Sequence, residues 1–158
     1  MENNNVWGYE PIMATANIEG SSEYPNIKGR VIFKKKNEGV LVTAEIMGLP
    51  TEDGECNRKV FGFHIHEGKS CTGNEMDPFL NVGGHYNPND CEHPSHAGDL
   101  PPLFGNNGYA YLSVYTDRFT LHEIINRTVI IHSMPDDFKS QPGGNSGVKI
   151  ACGVISII

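Results

Sequence analysis

The chain has 158 residues, with 18 glycines, 10 prolines and only 9% aromatic residues. This length is enough for one domain with a sizeable core, and the many turn-forming residues favour an all-β fold over a helical one. The net charge of −7, with 12 scattered lysines and arginines, excludes a broad basic face, so we expect neither nucleic acid nor a membrane as a partner.

The first residues are polar and have no apolar stretch of the kind found in a signal peptide or a membrane span. We therefore predict one domain over residues 1–158, with 1–12 as a loosely ordered extension. A cytoplasmic protein and the mature form of an exported one both fit these residues, and the compartment stays open.

Four segments then show the alternation of half-buried β-strands. Apolar residues occupy every second position in 14–18, 31–33, 40–46 and 61–65. Asn37-Glu38-Gly39 predicts a turn between the second and third strands, with Gly39 able to take positive φ. Short turns between such strands indicate a meander that begins a β-sandwich or a flattened barrel.

The fourth of these strands carries two histidines on one face. Side chains alternate along a strand, so His64 and His66 point together, about 7 Å apart, while Phe63 and Ile65 point to the other face. Two neutral imidazoles so placed can bind one transition-metal ion. The pattern is also compatible with two half-exposed histidines and no metal.

Residues 67–99 lack periodicity, and a loop of this length in a compact domain is either disordered or functional. It contains three histidines, Asp99 and two cysteines, which favours function. With the strand pair, the candidate metal ligands are His64, His66, His85, His93, His96, Asp99 and His132. Six imidazoles and one carboxylate are too many for one tetrahedral ion and suit two ions.

The remaining strands are predicted over 100–104, 109–115, 129–131 and 150–157. The first of these can only be an edge strand, because Pro101 and Pro102 cannot donate to a ladder. Residues 120–123 resemble a short capped helical turn that leaves His122 exposed. A second irregular stretch spans 133–148.

Five motifs along the chain resemble the copper-zinc superoxide dismutase family, in its bacterial type. They are Gly-Phe-His-Ile-His-Glu at 62–67, Gly-Gly-His-Tyr-Asn-Pro at 83–88, His-Ala-Gly-Asp-Leu at 96–100, Arg-Thr-Val-Ile-Ile-His at 127–132 and Ala-Cys-Gly-Val-Ile at 151–155. The resemblance implies an eight-stranded Greek-key β-sandwich, or flattened barrel, with two long functional loops.

The resemblance also implies two metal sites that share a ligand. Copper would be held by His64, His66, His85 and His132, and zinc by His85, His93, His96 and Asp99. The implied reaction is the disproportionation of superoxide to oxygen and hydrogen peroxide by redox cycling of copper, with zinc structural and His85 passing a proton to the product. Superoxide is then the expected small-molecule partner.

Three further roles are implied by the family pattern. Asp136 matches a carboxylate that links a copper histidine to a zinc histidine, and a surface acid beside Asp137 is its alternative. Cys71 and Cys152 match an intrasubunit disulfide, which leans towards an oxidising compartment. Cys56 and Cys91 have no counterpart, so they can pair with each other or remain free, and Cys91 can also compete as a metal ligand near His93.

Two positions depart from the family pattern. His93 and His96 are only three residues apart, which predicts a shorter zinc loop with altered affinity or geometry. Lys149 stands where the family has its anion-guiding arginine. Lysine keeps the positive charge but lacks the planar guanidinium group that binds an anion through two hydrogen bonds. The alternative to a guiding role is a solvated surface lysine.

A non-enzymatic copper- and zinc-binding module of the same fold is the alternative function. The complete set of four copper histidines favours the enzyme. A homodimer is compatible with the resemblance, although the sequence does not fix the oligomeric state.

Overall fold

The structure is a computed structural model that describes residues 12–55 and 59–158. Within these ranges the chain forms β1 (Met13–Gly20), β2 (Lys28–Lys36), β3 (Gly39–Met47), β4 (Val60–Phe61), β5 (Phe63–His66), β6 (Leu103–Phe104), β7 (Ala110–Thr116), β8 (Thr128–His132) and β9 (Lys149–Ile157). It also forms one short helix, α1 (Leu121–Ile124), and a 3₁₀ turn over Leu80–Val82. The extension predicted for 1–12 lies, apart from Ile12, outside the described residues.

Seven strands form one curled antiparallel sheet in the order β5-β8-β9-β1-β2-β3-β7, while β4 and β6 pair separately. The predicted all-β Greek-key fold is confirmed. The proline-containing edge strand is shorter than predicted, because only Leu103 and Phe104 pair with β4. No helix in the described part of the chain has the length and apolar character needed to cross a bilayer.

The fourth predicted strand is broken at Gly62, which gives nine described strands where eight were expected. Phe61 pairs with β6, whereas Phe63 pairs with β8, so the chain passes from one sheet to the other at this glycine. A Cβ atom at Gly62 would lie 2.8 Å from the side chain of Ser146. The crossing therefore requires glycine, and it directs the chain into the two-histidine segment.

The turn between β2 and β3 differs from the prediction in one detail. Asn37 has the positive φ, 53°, and Gly39 already belongs to β3, where it pairs with Lys36. Gly39 therefore does not use the positive φ that it is able to adopt. Asparagine tolerates the left-handed region better than most residues, so the two-residue turn needs no glycine there.

The core lies on the inner face of the curled sheet and includes the fully buried Phe33, Phe63, Ile65 and Ile131. Because side chains alternate, His64 and His66 lie on the other face of β5. There a smaller apolar cluster joins Ile130 and Cys152 of the sheet to loop residues that include Phe79 and Val82. This cluster anchors the 67–99 loop on the histidine face, where both imidazoles are buried.

The helical turn α1 is confirmed. The carboxylate of Glu123 accepts hydrogen bonds from the backbone N–H of Thr120 at 2.6 Å and from its hydroxyl at 2.7 Å. Leu121 and Ile124 are buried, and His122 is exposed.

Cys71 and Cys152 form the predicted disulfide. It closes a loop with a sequence separation of 81 and ties the 67–99 loop to β9. Cys91 carries a free and exposed thiol. Cys56 lies outside the described residues.

The disulfide generates a stability prediction. Closing a loop of this length restricts the unfolded chain by about 4–5 kcal/mol in the chain-entropy model. Cys71→Ser is therefore expected to lower the melting temperature by about 10 °C, and Cys152→Ser by a similar amount. The double variant should melt like either single variant, because both remove the same bond.

The matched control is Cys91→Ser, which alters a free thiol and should leave melting unchanged. Additive losses in the double variant, measured by calorimetry on matched metal-free samples, would contradict the pairing.

Candidate metal centre

Backbone pairing brings the ligand-bearing segments together. His66 forms an antiparallel bridge with His85, and His64 forms one with Asp99. Ile65 donates its N–H to the carbonyl of Gly98 at 2.8 Å and accepts from the N–H of Tyr86 at 2.8 Å. The irregular loop is therefore paired to the edge of β5 that β8 leaves free, at two positions that carry the ligands His85 and Asp99.

Two groups of metal-ligand side chains result, and they share one histidine. Ligand atoms lie within 4.8 Å of one another in His64, His66, His85 and His132, and likewise in His85, His93, His96 and Asp99. All seven candidate ligands are thus brought together. His93 and His96, despite their short spacing, both reach the second group, with ring centroids 5.4 Å apart.

In the first group, hydrogen bonds at Nδ1 fix the tautomers of His66 and His132. His66 Nδ1 lies 2.8 Å from the carbonyl oxygen of Gly83, and His132 Nδ1 lies 3.4 Å from that of Gly147. A carbonyl oxygen only accepts, so both Nδ1 atoms carry protons and both Nε2 atoms are acceptors. These two Nε2 atoms face each other at 3.2 Å, an arrangement that a cation between them would stabilise.

In the second group, the carboxylate of Asp99 is the common partner. Its Oδ1 lies 2.7 Å from His85 Nδ1, and its Oδ2 lies 3.1 Å from His93 Nδ1. The backbone N–H of His96 donates to Oδ2 at 3.0 Å. Three imidazoles and one carboxylate form the donor set of a closed tetrahedral zinc site.

Asp136 links the two groups, because its carboxylate contacts the Nε2 atom of one histidine from each group. Its Oδ2 lies 2.8 Å from His64 Nε2, and its Oδ1 lies 2.8 Å from His93 Nε2. Both Nε2 atoms therefore donate, and each Nδ1 is left with a lone pair. The Nδ1 atoms of His64 and His93 are buried and have no hydrogen-bond donor, so both groups contain acceptor atoms that fit metal ions.

One side of the first group is open to solvent. A cavity of about 490 Å³ is lined by His85, His132 and the segment from Ser140 to Gly147. A Cβ atom on Gly143 would lie 3.2 Å from His85 Nε2, so that nitrogen faces the cavity wall. The second predicted irregular stretch thus forms the mouth of the site.

Residues 27–155 match the model of the family described as copper/zinc superoxide dismutase (SODC). The chain belongs to the copper/zinc superoxide dismutase family. As a member, it is a superoxide dismutase whose cofactors are copper and zinc, and the enzymatic interpretation of the sequence is confirmed over the non-enzymatic module.

Several named relatives support this membership. The chain is 33% identical to superoxide dismutase [Cu-Zn] 2 of Aquifex aeolicus, over 87% of its own length and 86% of the relative's. It is 34% identical to superoxide dismutase [Cu-Zn] of Legionella pneumophila, over 89% and 85% respectively. It is also similar to the Cu/Zn superoxide dismutase of Brucella abortus, with a TM-score of 0.75 and 28% identity, over 90% of this chain and 98% of that one.

Burial favours the neutral, metal-binding form of three histidines of this dismutase. It lowers the pKa of His64 and of His66, and lowers that of His132 to about 3, with repulsion from neighbouring imidazoles adding to the effect. Burial alone would raise the pKa values of Asp99 and Asp136. A hydrogen bond from His85 outweighs burial at Asp99, and hydrogen bonds from His64 and His93 outweigh it at Asp136. The pKa of each carboxyl group is therefore lowered, and both carboxylates are ionised.

Some contacts of the dismutase site were not predicted from the sequence. The carbonyls of Gly83 and Gly147 orient two imidazoles, but every residue has a carbonyl, so no sequence signal distinguishes them. The Gln141 side chain accepts from the N–H of His93 at 2.9 Å and donates to its carbonyl at 2.8 Å. A glutamine in an irregular stretch gives no indication of such a partner.

Lys149 also has a partner that was not predicted. It pairs with His132 across β8 and β9 at a register irregularity, and its Nζ forms an ion pair with Oδ2 of Asp77. Both residues line a hollow of about 320 Å³ that shares Gly147 with the cavity over His85 and His132.

The lowered pKa values predict how the metal-free protein responds to acid. Below about pH 6.5 the unfolded chain protonates these histidines, whereas the folded chain resists protonation, so the free energy of unfolding falls as the pH falls. We expect a loss of about 1–4 kcal/mol per pH unit between pH 6.5 and 5, since each histidine contributes up to about 1.4.

Urea unfolding of chelator-treated protein at several pH values measures this slope. His132→Gln should make the slope shallower, because it removes one of the three groups. A parental slope of zero across this range would contradict the neutral, buried state of the imidazoles.

Proposed function

We propose that this dismutase binds copper through His64, His66, His85 and His132, and zinc through His85, His93, His96 and Asp99. The observation that carries the assignment is the pair of four-residue groups that share His85, each with its ligand atoms within 4.8 Å. Four imidazoles suit copper, whereas three imidazoles and a carboxylate suit a structural zinc ion. The cavity over His85 and His132 gives an anion access to the copper side.

Copper, when bound, supplies the one-electron redox chemistry by which two superoxide anions and two protons become oxygen and hydrogen peroxide. His85 is proposed to hold a proton at Nε2 and to give it to the peroxide product. Its Nδ1 is engaged by Asp99 and the zinc-side group, while its Nε2 faces the cavity wall at Gly143. The ring is thus oriented so that only the cavity-side nitrogen is available to substrate.

Asp136 is proposed to position the two metal sites relative to each other. Its carboxylate accepts from His64 on the copper side and from His93 on the zinc side. The backbone N–H of Phe138 also donates to Oδ1, at 2.7 Å. Hydrogen bonds of this kind fix the tautomer and the orientation of metal-bound histidines.

Lys149 is proposed to attract superoxide towards the cavity. It lies beside His132 in the β8–β9 ladder, and its charge contributes to the lowered pKa of that imidazole. In a chain of net charge −7, a cation this close to the cavity gives an anion a local attraction.

We further propose an oxidising compartment, which the disulfide favours. The extracellular superoxide dismutase [Cu-Zn] of Drosophila melanogaster, 35% identical over 93% of the chain, supports this proposal.

A single domain over 1–158 is supported by the pairing of β1 with β9. Superoxide is the proposed partner, with neither nucleic acid nor membrane, and a homodimer stays a prediction that sedimentation would test.

The ligand assignment predicts different losses at the two sites. His132→Ala should abolish turnover while zinc content stays near one ion per chain, because His132 belongs to the first group alone. Asp99→Asn should mainly lower zinc affinity and the melting temperature, since a structural ion contributes free energy of folding.

Metal analysis and superoxide-quenching rates measure both effects. His122→Gln is the matched control, because His122 is exposed and belongs to neither group, and it should behave like the parent. Near-parental activity of His132→Ala at equal copper content would contradict the assignment.

The proposed role of Lys149 predicts a salt-dependent rate. Lys149→Ala should slow the reaction about tenfold at low ionic strength, which corresponds to about 1.4 kcal/mol, and the deficit should shrink as salt is raised. Lys149→Arg should match or exceed the parent, because the guanidinium fork can bind an anion through two hydrogen bonds. Lys36→Ala, at the exposed end of β2, serves as the control for loss of a charge elsewhere. Equal low-salt rates for the parent and Lys149→Ala at matched metal content would exclude the role.

A further inference from the structure

The ammonium group of Lys149 does not line the cavity over His85 and His132. It lies in the adjoining hollow, where it forms its ion pair with Asp77, and the two spaces meet at Gly147. The side chain of Lys149 is only 18% exposed and that of Asp77 is 32% exposed. This pair is therefore partly shielded from water, and its two charges offset each other beside the mouth of the site.

Asp77 is held in place by the loop around it. Its second oxygen, Oδ1, accepts from the N–H of Phe79 at 3.1 Å, and its own N–H donates to Asn74 Oδ1 at 2.9 Å. Its carbonyl accepts from the N–H groups of Asn74 at 3.0 Å and Leu80 at 3.1 Å. The carboxylate therefore has a fixed position to which Lys149 is drawn.

The disulfide brings this loop to the strand that carries Lys149. Cys71 precedes Asp77 in the 67–99 loop, and Cys152 follows Lys149 in β9. The ion pair and the disulfide thus join the same two segments. The small apolar cluster around Phe79 and Val82 also joins this loop to β9, through Cys152.

We propose that Asp77 is a positioning residue that holds Lys149 in the adjoining hollow and weakens the attraction of this lysine for the anionic substrate. This inference rests on the proposed role of Lys149. An isolated cation attracts an anion through a field that falls slowly with distance, whereas the field of a contacting ion pair falls much faster. Release of Lys149 should therefore strengthen anion binding at the cavity.

Asp77→Asn is the informative variant, because asparagine removes the charge and keeps an Oδ1 acceptor for the N–H of Phe79. The copper- and zinc-loaded protein is titrated with azide, a stable monovalent anion whose binding to Cu(II) produces an absorption band. At low ionic strength we expect azide to bind roughly three- to fivefold more tightly, and the second-order rate with superoxide to rise by a similar factor. Both gains should disappear at high salt.

Glu75→Gln is the matched control. Glu75 is exposed on the same loop, and its neutralisation changes the net charge by the same amount without affecting the ion pair. The gain from Asp77→Asn must exceed the gain from Glu75→Gln. In a Lys149→Met background the gain from Asp77→Asn should be smaller than in the parent, because the negative charge is still lost but no lysine is released.

The outcomes separate this inference from the proposal on which it rests. If Lys149→Met leaves azide affinity and rate unchanged, the guiding role of Lys149 fails, and the inference fails with it. If Lys149→Met weakens azide binding but Asp77→Asn gains no more than Glu75→Gln, only the positioning role of Asp77 is overturned. Should Asp77→Asn fail to fold, Asp77→Ser, which also keeps an oxygen acceptor, gives the same comparison.

Discussion

The site depends on one electrostatic constraint, which is that imidazole lone pairs converge inside a buried region. Hydrogen bonds to two backbone carbonyls and to Asp136 engage the outer nitrogens of four rings, so their inner nitrogens can only accept. Acceptors that face one another without a donor repel, and burial removes the water that would otherwise separate them. Cations satisfy this arrangement, so metal binding stabilises the folded positions of the ligand segments.

The long loop illustrates this coupling. It has few buried apolar residues of its own and is held by two backbone bridges to β5, by the cluster around Val82 and by the disulfide. Both bridges are made at candidate ligands, His85 and Asp99, so whatever orders the loop there also orders the site. Metal ions then contribute free energy of folding to a segment that lacks a hydrophobic core.

Sequence alone predicted the strands well, because alternation is a local signal that burial of one face imposes. It also predicted the seven candidate ligands, since two histidines on one strand face together with three in one irregular stretch have few structural explanations. It did not predict the break at Gly62, which depends on how closely Ser146 approaches from a distant segment. The pairing of Asp77 with Lys149 was missed for the same reason, because it joins residues that are far apart in the chain.

The central position of β9 has a consequence for biosynthesis. This strand lies between β8 and β1, so the first described strand acquires one of its two neighbours only after residues 149–157 have been made. Until then the meander of β1, β2 and β3 leaves the ladder edge of β1 unpaired, and such an edge can pair with other chains. A growing chain of this protein therefore cannot complete its sheet until β9 has emerged from the ribosome.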